Sequence, residues 1–112
     1  MDYIATWIYC DKAGEESGFP QAGGTSSSSF NHQAIYWRCV YAFYRFAIKY
    51  NPGCSLLLFT NRVEDDLLID GHYIQKELKA LGVQIRGVEF KSKMPKGYYD
   101  RFGNQLYEFD IL

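Results

Sequence analysis

Polar side chains stand where two apolar stretches of the sequence end. Cys10, Asp11 and Lys12 close and follow the first stretch, and Thr60 and Asn61 close the second. If both stretches are strands of one parallel sheet, these side chains meet at the carboxyl edge, where such sheets bind ligands. Hydroxyl, amide, carboxylate and ammonium groups there could hydrogen-bond a base or a ribose. The sequence therefore predicts a ligand site at the residues that end or follow these two stretches, namely Cys10, Asp11, Lys12, Thr60, Asn61 and Arg62.

The common phosphate-binding and nucleophile motifs are absent from the chain. Neither G-x-G-x-x-G nor G-x-x-x-x-G-K-[ST] occurs, and no G-x-S-x-G elbow is present. The glycines and serines of residues 23–26 precede a predicted helix and could cradle a phosphate through backbone N–H groups. A flexible entry into the helix is the simpler interpretation of that segment.

The residue pattern gives little support for a metal site or a disulfide bond. Four acids after the second apolar stretch could supply oxygen ligands for Mg²⁺ or Ca²⁺, namely Glu64, Asp65, Asp66 and Asp70. They lack calcium-loop spacing, and a solvated helix start is the favoured interpretation, because acids suit the positive end of a helix. The three cysteines form no C-x-x-C pair, and no Cys/His cluster suits zinc.

Composition narrows the class of protein. The chain has 112 residues, 47% of them hydrophobic, which predicts one domain over residues 1–112 with an ordinary core. The formal net charge of -1 argues against a general nucleic-acid binder. No stretch reaches the roughly 20 apolar residues that span a bilayer, and the start lacks the basic residues of a signal peptide. Reduced cysteines then predict a cytoplasmic protein without a transmembrane segment.

Three apolar stretches are predicted as strands. They cover residues 3–10, 54–61 and 83–90, and the first two are apolar almost throughout. Such continuous runs are typical of strands covered on both faces. The segment 13–29, rich in Gly, Ser and Pro, and the basic segment 91–96 are predicted loops.

Helices are predicted between and after these strands. The first spans 30–50, begins after a cap at Ser29 or Asn31, and is so apolar that burial on more than one side is expected. A second helix is predicted from Asp70 or Gly71 to about Leu81, and a short third helix over 102–112. The order β-α-β-α-β-α predicts an α/β fold, a Rossmann-like three-layer α/β/α arrangement around a small parallel sheet.

The order of elements and four segments resemble the front half of a GT-A-fold glycosyltransferase. Those segments are Tyr9-Cys10-Asp11-Lys12, Leu58-Phe59-Thr60-Asn61, Leu81-Gly82-Val83-Gln84-Ile85 and the terminal run from Gly103 to Leu112. The resemblance implies a truncated GT-A domain that binds the nucleotide of a nucleotide-diphospho-sugar, with the nucleotide-binding residues Cys10, Asp11, Lys12, Thr60 and Asn61. In that family the next strand ends in D-x-D, whose carboxylates hold Mn²⁺ or Mg²⁺.

The chain itself contains no D-x-D motif. We therefore expect no catalytic residue and no metal in this chain, unless a D-x-D strand is supplied from elsewhere. The resemblance then implies the nucleotide-sugar-binding part of a glycosyltransferase-like protein that is incomplete or inactive alone. A strand over 3–10 without its D-x-D neighbour would leave an open edge, which predicts a protein partner or a homo-oligomer.

Two alternatives stay open. One is a non-catalytic α/β module that binds a protein through a Tyr-rich surface, since the chain has 10 Tyr and aromatic residues are enriched at interfaces. The other is a nucleotide-binding regulator with no acceptor site.

Overall fold

The computed structural model describes residues 2–12 and 28–89. Its elements, in chain order, are β1 Tyr3–Ile8, α1 Phe30–Tyr50, β2 Ser55–Thr60, β3 Leu68–Ile69, β4 His72–Tyr73, α2 Ile74–Ala80 and β5 Val83–Gly87. The predicted loop 91–96, the predicted helix 102–112 and most of the predicted loop 13–29 lie outside the described residues.

The main sheet is parallel, in the order β1-β2-β5. In register, Ile8 of β1 lies beside Thr60 of β2, and Thr60 lies beside Gly87 of β5. The three strands therefore end at one edge, as the sequence predicted for an α/β protein with a small parallel sheet. Within the described ranges β1 pairs only with β2, so its outer side is an edge of the sheet there.

Both helices of the described ranges pack on one face of this sheet. The chain moves from β1 to β2 to β5 in one direction, and right-handed crossovers then place both connecting helices on the same side. Contact between α1 and α2 agrees with this placement. The described residues thus form two layers, a sheet and a helical layer. A third layer stays a prediction.

The side chains of the sheet alternate between a covered and a more open face. Leu56, Leu58 and Thr60 of β2 are buried beneath the helices, whereas Leu57 and Phe59 are only half-buried. The prediction of complete cover on both faces is wrong for β1, in which Tyr3 and Ala5 are exposed. An apolar run alone does not reveal which of its alternate side chains a helix will cover.

Helix α1 has the predicted span and cap. The Ser29 hydroxyl accepts a hydrogen bond from the backbone N–H of His32 at 3.2 Å, which satisfies one of the donors left free in the first turn. One stripe faces the core, with Gln33, Ala34, Trp37, Val40, Tyr44 and Ala47 buried. The expected burial on more than one side is wrong, because aromatic side chains such as Phe46 and Tyr50 are exposed.

Residues 68–73 form a small antiparallel hairpin instead of the start of the second helix. Leu68 pairs with Tyr73 and Ile69 with His72, around a turn at Asp70 and Gly71. Both turn residues have positive φ, 53° and 83°, which is the backbone of the tight hairpin turns that Asp-Gly favours. The second helix therefore begins only at Ile74, four residues later than the earliest predicted start.

None of the helices within the described ranges is both long and apolar enough to cross a membrane.

Candidate functional site

An open cleft of about 370 Å³ lies at the carboxyl ends of β1 and β2. Its lining is formed by Cys10, Asp11, Lys12, Ser28, Asn61, Arg62, Glu64 and Asp65. This volume falls within the range of small-molecule sites. Four of the five predicted nucleotide-binding residues line it, and the fifth, Thr60, lies directly beneath as the last residue of β2. We call this feature the strand-end cleft.

Asn61 uses its side-chain amide to hold the two strand ends together. Its Oδ1 accepts from the backbone N–H of Cys10 at 2.8 Å, and its Nδ2 donates to the Cys10 carbonyl oxygen at 2.9 Å. The β1–β2 backbone register ends at Ile8 and Thr60, so this side chain continues the pairing beyond the last strand residues. The amide that was predicted to contact a ligand is therefore chiefly engaged by the protein backbone.

The Cys10 side chain is buried and belongs to the hydrophobic core. Burial raises the pKa of Cys10 to about 11, although nearby Arg62 and the side chains of Trp37 and Thr60 act to lower it. Because the thiolate is the reactive form of cysteine, a thiol that stays protonated at neutral pH is a poor nucleophile and metal ligand. At the cleft this residue contributes its backbone, which Asn61 holds.

Arg62 and Gln33 form a polar network behind the cleft. The Arg62 guanidinium donates to the Gln33 Oε1, and through its other terminal nitrogen to Asp65 at 3.0 Å. Gln33 in turn donates from Nε2 to the Asp11 carbonyl oxygen at 2.8 Å. Gln33 is buried on α1, so this network joins the start of α1 to the ends of β1 and β2.

The other three predicted residues differ in exposure. The buried Thr60 hydroxyl accepts from the backbone N–H of Arg62 at 3.2 Å, which shapes the turn after β2. Lys12 is exposed on the cleft wall, while Asp11 beside it is buried. Lys12 therefore offers the cleft an exposed ammonium group, whereas Asp11 lines the cleft from a buried position.

Three of the four acids after β2 have separate partners. Asp65 pairs with Arg62, Asp70 pairs with Arg38 at 3.1 Å, and Asp66 accepts from two backbone N–H groups of α2. Among the described residues, no group of three or more His, Cys, Asp or Glu side chains is arranged to hold a metal ion. Asp66 thus serves the start of α2, as the favoured interpretation predicted, whereas Asp65 and Asp70 pair with arginines.

Sequence reasoning missed Gln33 as part of the site. Its signal was a polar residue within the apolar stripe that includes Trp37 and Val40 of α1. Buried amides are nearly always hydrogen-bonded, so a Gln in such a stripe indicates a polar partner on the facing element. Arg62 follows Thr60 and Asn61 at the predicted strand end, but only the fold shows that its guanidinium reaches back to α1.

Comparisons of the chain with protein families, with characterised proteins and with solved structures find no match. The resemblance to GT-A glycosyltransferases therefore stays a prediction that depends on the sequence segments alone.

Proposed function

We propose that this protein binds a nucleotide or a nucleotide-diphospho-sugar in the strand-end cleft. The observation that carries the proposal is the mixed charge of one cleft at the carboxyl edge of a parallel sheet. Asp11, Glu64 and Asp65 bring carboxylates, and Lys12 and Arg62 bring cations. Carboxylates accept hydrogen bonds from ribose and sugar hydroxyls, and cations attract phosphate oxygens. A ligand with both kinds of group matches this lining.

The rigidity of the cleft supports the same proposal. Asn61 fixes the Cys10 backbone, and Gln33 fixes both the Asp11 carbonyl and the Arg62 guanidinium. A site whose polar groups are already held in place loses less conformational entropy when the ligand binds. In this proposal Asp11 and Lys12 contact the ligand, while Asn61 and Gln33 position the cleft wall.

Chemistry on the bound ligand is not part of the proposal. Transfer of a sugar from a nucleotide-diphosphate needs a group that stabilises the leaving phosphates, commonly a metal ion. The described residues bring no set of carboxylates together for such an ion. We propose binding by this chain, with catalysis only where a D-x-D strand is supplied from elsewhere.

Isothermal titration of the 112-residue protein with UDP, GDP and their glucose and mannose conjugates tests the proposal. We expect one of them to bind, with an affinity at least about tenfold weaker in Asp11→Asn and in Lys12→Gln, which is a loss of about 1.4 kcal/mol for each contact. Lys79→Gln, on α2 away from the cleft, is the control and should bind as the wild type does. Added MnCl₂ distinguishes a site that needs a metal from one that does not.

Two outcomes would overturn nucleotide binding in the cleft. One is the absence of heat with every nucleotide up to millimolar concentration. The other is binding that neither Asp11→Asn nor Lys12→Gln changes while both variants keep their fold by circular dichroism.

A second candidate function is the non-catalytic interaction module. The specific observation in its favour is the exposed aromatic side of α1, which carries Tyr36, Phe43, Phe46 and Tyr50. Isolated surface aromatics are ordinary, but a continuous row of them marks an interaction site. This function does not require the strand-end cleft to bind anything, so the titration above separates the two candidates.

A further inference from the structure

Helix α1 carries an exposed row of side chains with the spacing of a helix–helix contact. The row consists of Tyr36, Cys39, Phe43, Phe46 and Tyr50, whose separations alternate between three and four residues. This is the spacing of the a and d positions through which two helices pack. We call this set the aromatic seam.

The aromatic seam is separate from the side of α1 that the fold already uses. The core-facing stripe includes Trp37, Val40 and Tyr44, which are buried. Tyr36, Phe43, Phe46 and Tyr50 leave 41%, 43%, 61% and 66% of their surface exposed. The seam therefore does not belong to the core of the described chain.

No charged residue interrupts the aromatic seam. Arg38 and Arg45 lie on another side of the helix, where Arg38 reaches Asp70 of the hairpin. Lys49 flanks only the end of the seam, with its ammonium 5.3 Å from the centre of the Tyr50 ring. Depletion of charge at the centre with aromatic enrichment is the composition of an interface core.

We propose that a second copy of this chain occupies the aromatic seam, with the two α1 helices packed antiparallel. The proposal rests on the interaction-module function and names its partner. In an antiparallel pair centred on Phe43, Tyr36 lies opposite Tyr50 of the second copy, and the small Cys39 lies opposite the large Phe46. Alternation of large and small side chains across a contact fills space well.

Packing also favours the antiparallel direction over the parallel one. A parallel pair would place Phe46 against Phe46 and Cys39 against Cys39, so one layer would be crowded and the other would leave a gap. The antiparallel pair places Lys49 beside Ile35 of the second copy, where the aliphatic part of Lys49 can pack. A self-complementary surface of this kind produces a closed twofold dimer.

The area of the aromatic seam suits a reversible dimer. Complete burial of the four exposed rings would remove roughly 400 Å² per copy, at about 200 Å² for each aromatic side chain. When Cys39 and the flanking residues Ile35 and Ala42 are added, the total area buried on the two copies approaches the lower end of specific interfaces, about 1,200 Å².

Sedimentation equilibrium of the full chain from 1 to 200 µM tests this proposal. We expect a monomer–dimer equilibrium in the wild type and a dissociation constant at least about 30-fold weaker in Phe46→Glu, which places a charge in the seam. Phe30→Glu is the control, because Phe30 is 48% exposed at the start of the same helix but lies outside the seam. It should dimerise like the wild type.

Cysteine cross-linking tests the direction of the helices. In the antiparallel pair the two native Cys39 residues lie about 12 Å apart along the helix axes, too far for a disulfide. Phe46→Cys places a thiol opposite Cys39 of the second copy, so mild oxidation should cross-link this variant and not the wild type. Cross-linking of wild-type Cys39 to itself would overturn the antiparallel arrangement.

Three results would overturn the aromatic seam as the dimer contact. They are a wild type that stays monomeric at 200 µM, a dimer that Phe46→Glu leaves intact, and equal dissociation by Phe46→Glu and Phe30→Glu. The second result would point to pairing through the open edge of β1. Nucleotide titration of Phe46→Glu separates the two functions, since loss of the dimer with binding retained leaves the strand-end cleft unaffected.

Discussion

The carboxamide of Asn61 forms two hydrogen bonds with the backbone of Cys10, 51 positions earlier in the chain. One bond satisfies the Cys10 N–H and the other its carbonyl oxygen, so a side chain performs the pairing that a further strand residue would otherwise provide. The wall of the strand-end cleft thereby acquires a fixed backbone just before Asp11 and Lys12.

Replacement of Asn61 should destabilise the protein more than replacement of an ordinary surface residue. In Asn61→Ala the partly buried N–H and C=O of Cys10 lose their partner, and we expect the free energy of unfolding to fall by about 2 kcal/mol. Urea denaturation measures the change. Asn31→Ala, at an exposed position of α1, is the control and should cost less than about 0.5 kcal/mol. Equal losses in the two variants would contradict the bridging role.

Removal of the Asp66 carboxylate should weaken the start of α2. This carboxylate accepts from the backbone N–H groups of Gln75 and Lys76 at 2.7 and 3.1 Å, which are donors of the first turn. We expect Asp66→Ala to lower the free energy of unfolding by about 1 kcal/mol, the usual cost of a lost cap. Glu64→Ala, two residues away and exposed, should have little effect in the same denaturation series. A smaller loss in Asp66→Ala than in Glu64→Ala would refute the capping role.

The Asp70-Gly71 turn should tolerate Asn better than a β-branched residue at Gly71. This glycine has φ of 83°, and a Cβ there would meet no atom within 4 Å, so any cost arises from the backbone conformation alone. We expect Gly71→Val to lower the free energy of unfolding by about 1–2 kcal/mol and Gly71→Asn to lower it by less, because Asn adopts positive φ more readily. Thermal unfolding of the two variants compares them, and equal melting temperatures would be the contrary result.

Stability should fall at high pH because of two buried acids. Burial raises the pKa of Cys10 from 9.0 to about 11 and that of Tyr44 from 10.0 to about 12. An acid with a raised pKa in the folded state keeps its proton there after the unfolded chain has lost it. The contribution of the Cys10 thiol to the free energy of unfolding is therefore complete below pH 9 and is lost as the pH rises toward 11.

Cys10→Ala should remove part of this pH dependence. Two pKa units correspond to up to about 3 kcal/mol for Cys10, so the variant should lose distinctly less stability than the wild type between pH 8 and 11. Urea titrations at a series of pH values measure the slope. Cys54→Ala is the control, because the Cys54 thiol is only half-buried. An unchanged slope in Cys10→Ala would assign the loss of stability to other groups.

The regular elements that depend on local sequence pattern could be predicted without the structure. The span of α1 followed from its apolar content between Ser29 and Pro52, and the parallel sheet followed from apolar runs separated by helices. The position of the cleft followed as well, since the carboxyl ends of parallel strands share an edge. The predicted start of α2 is too early, because Asp70-Gly71 forms a hairpin turn that the helical pattern by itself does not reveal.

The role of each polar side chain depends on the elements that the fold brings together. Asn61, Asp66 and Gln33 have partners distant in sequence or on another element, and no local pattern encodes a partner 51 residues away. The tertiary structure also covers only one side of α1, which leaves the aromatic seam exposed. The physical reason is that hydrophobic periodicity acts within one segment, whereas hydrogen-bond partners and covered faces depend on which segments become neighbours.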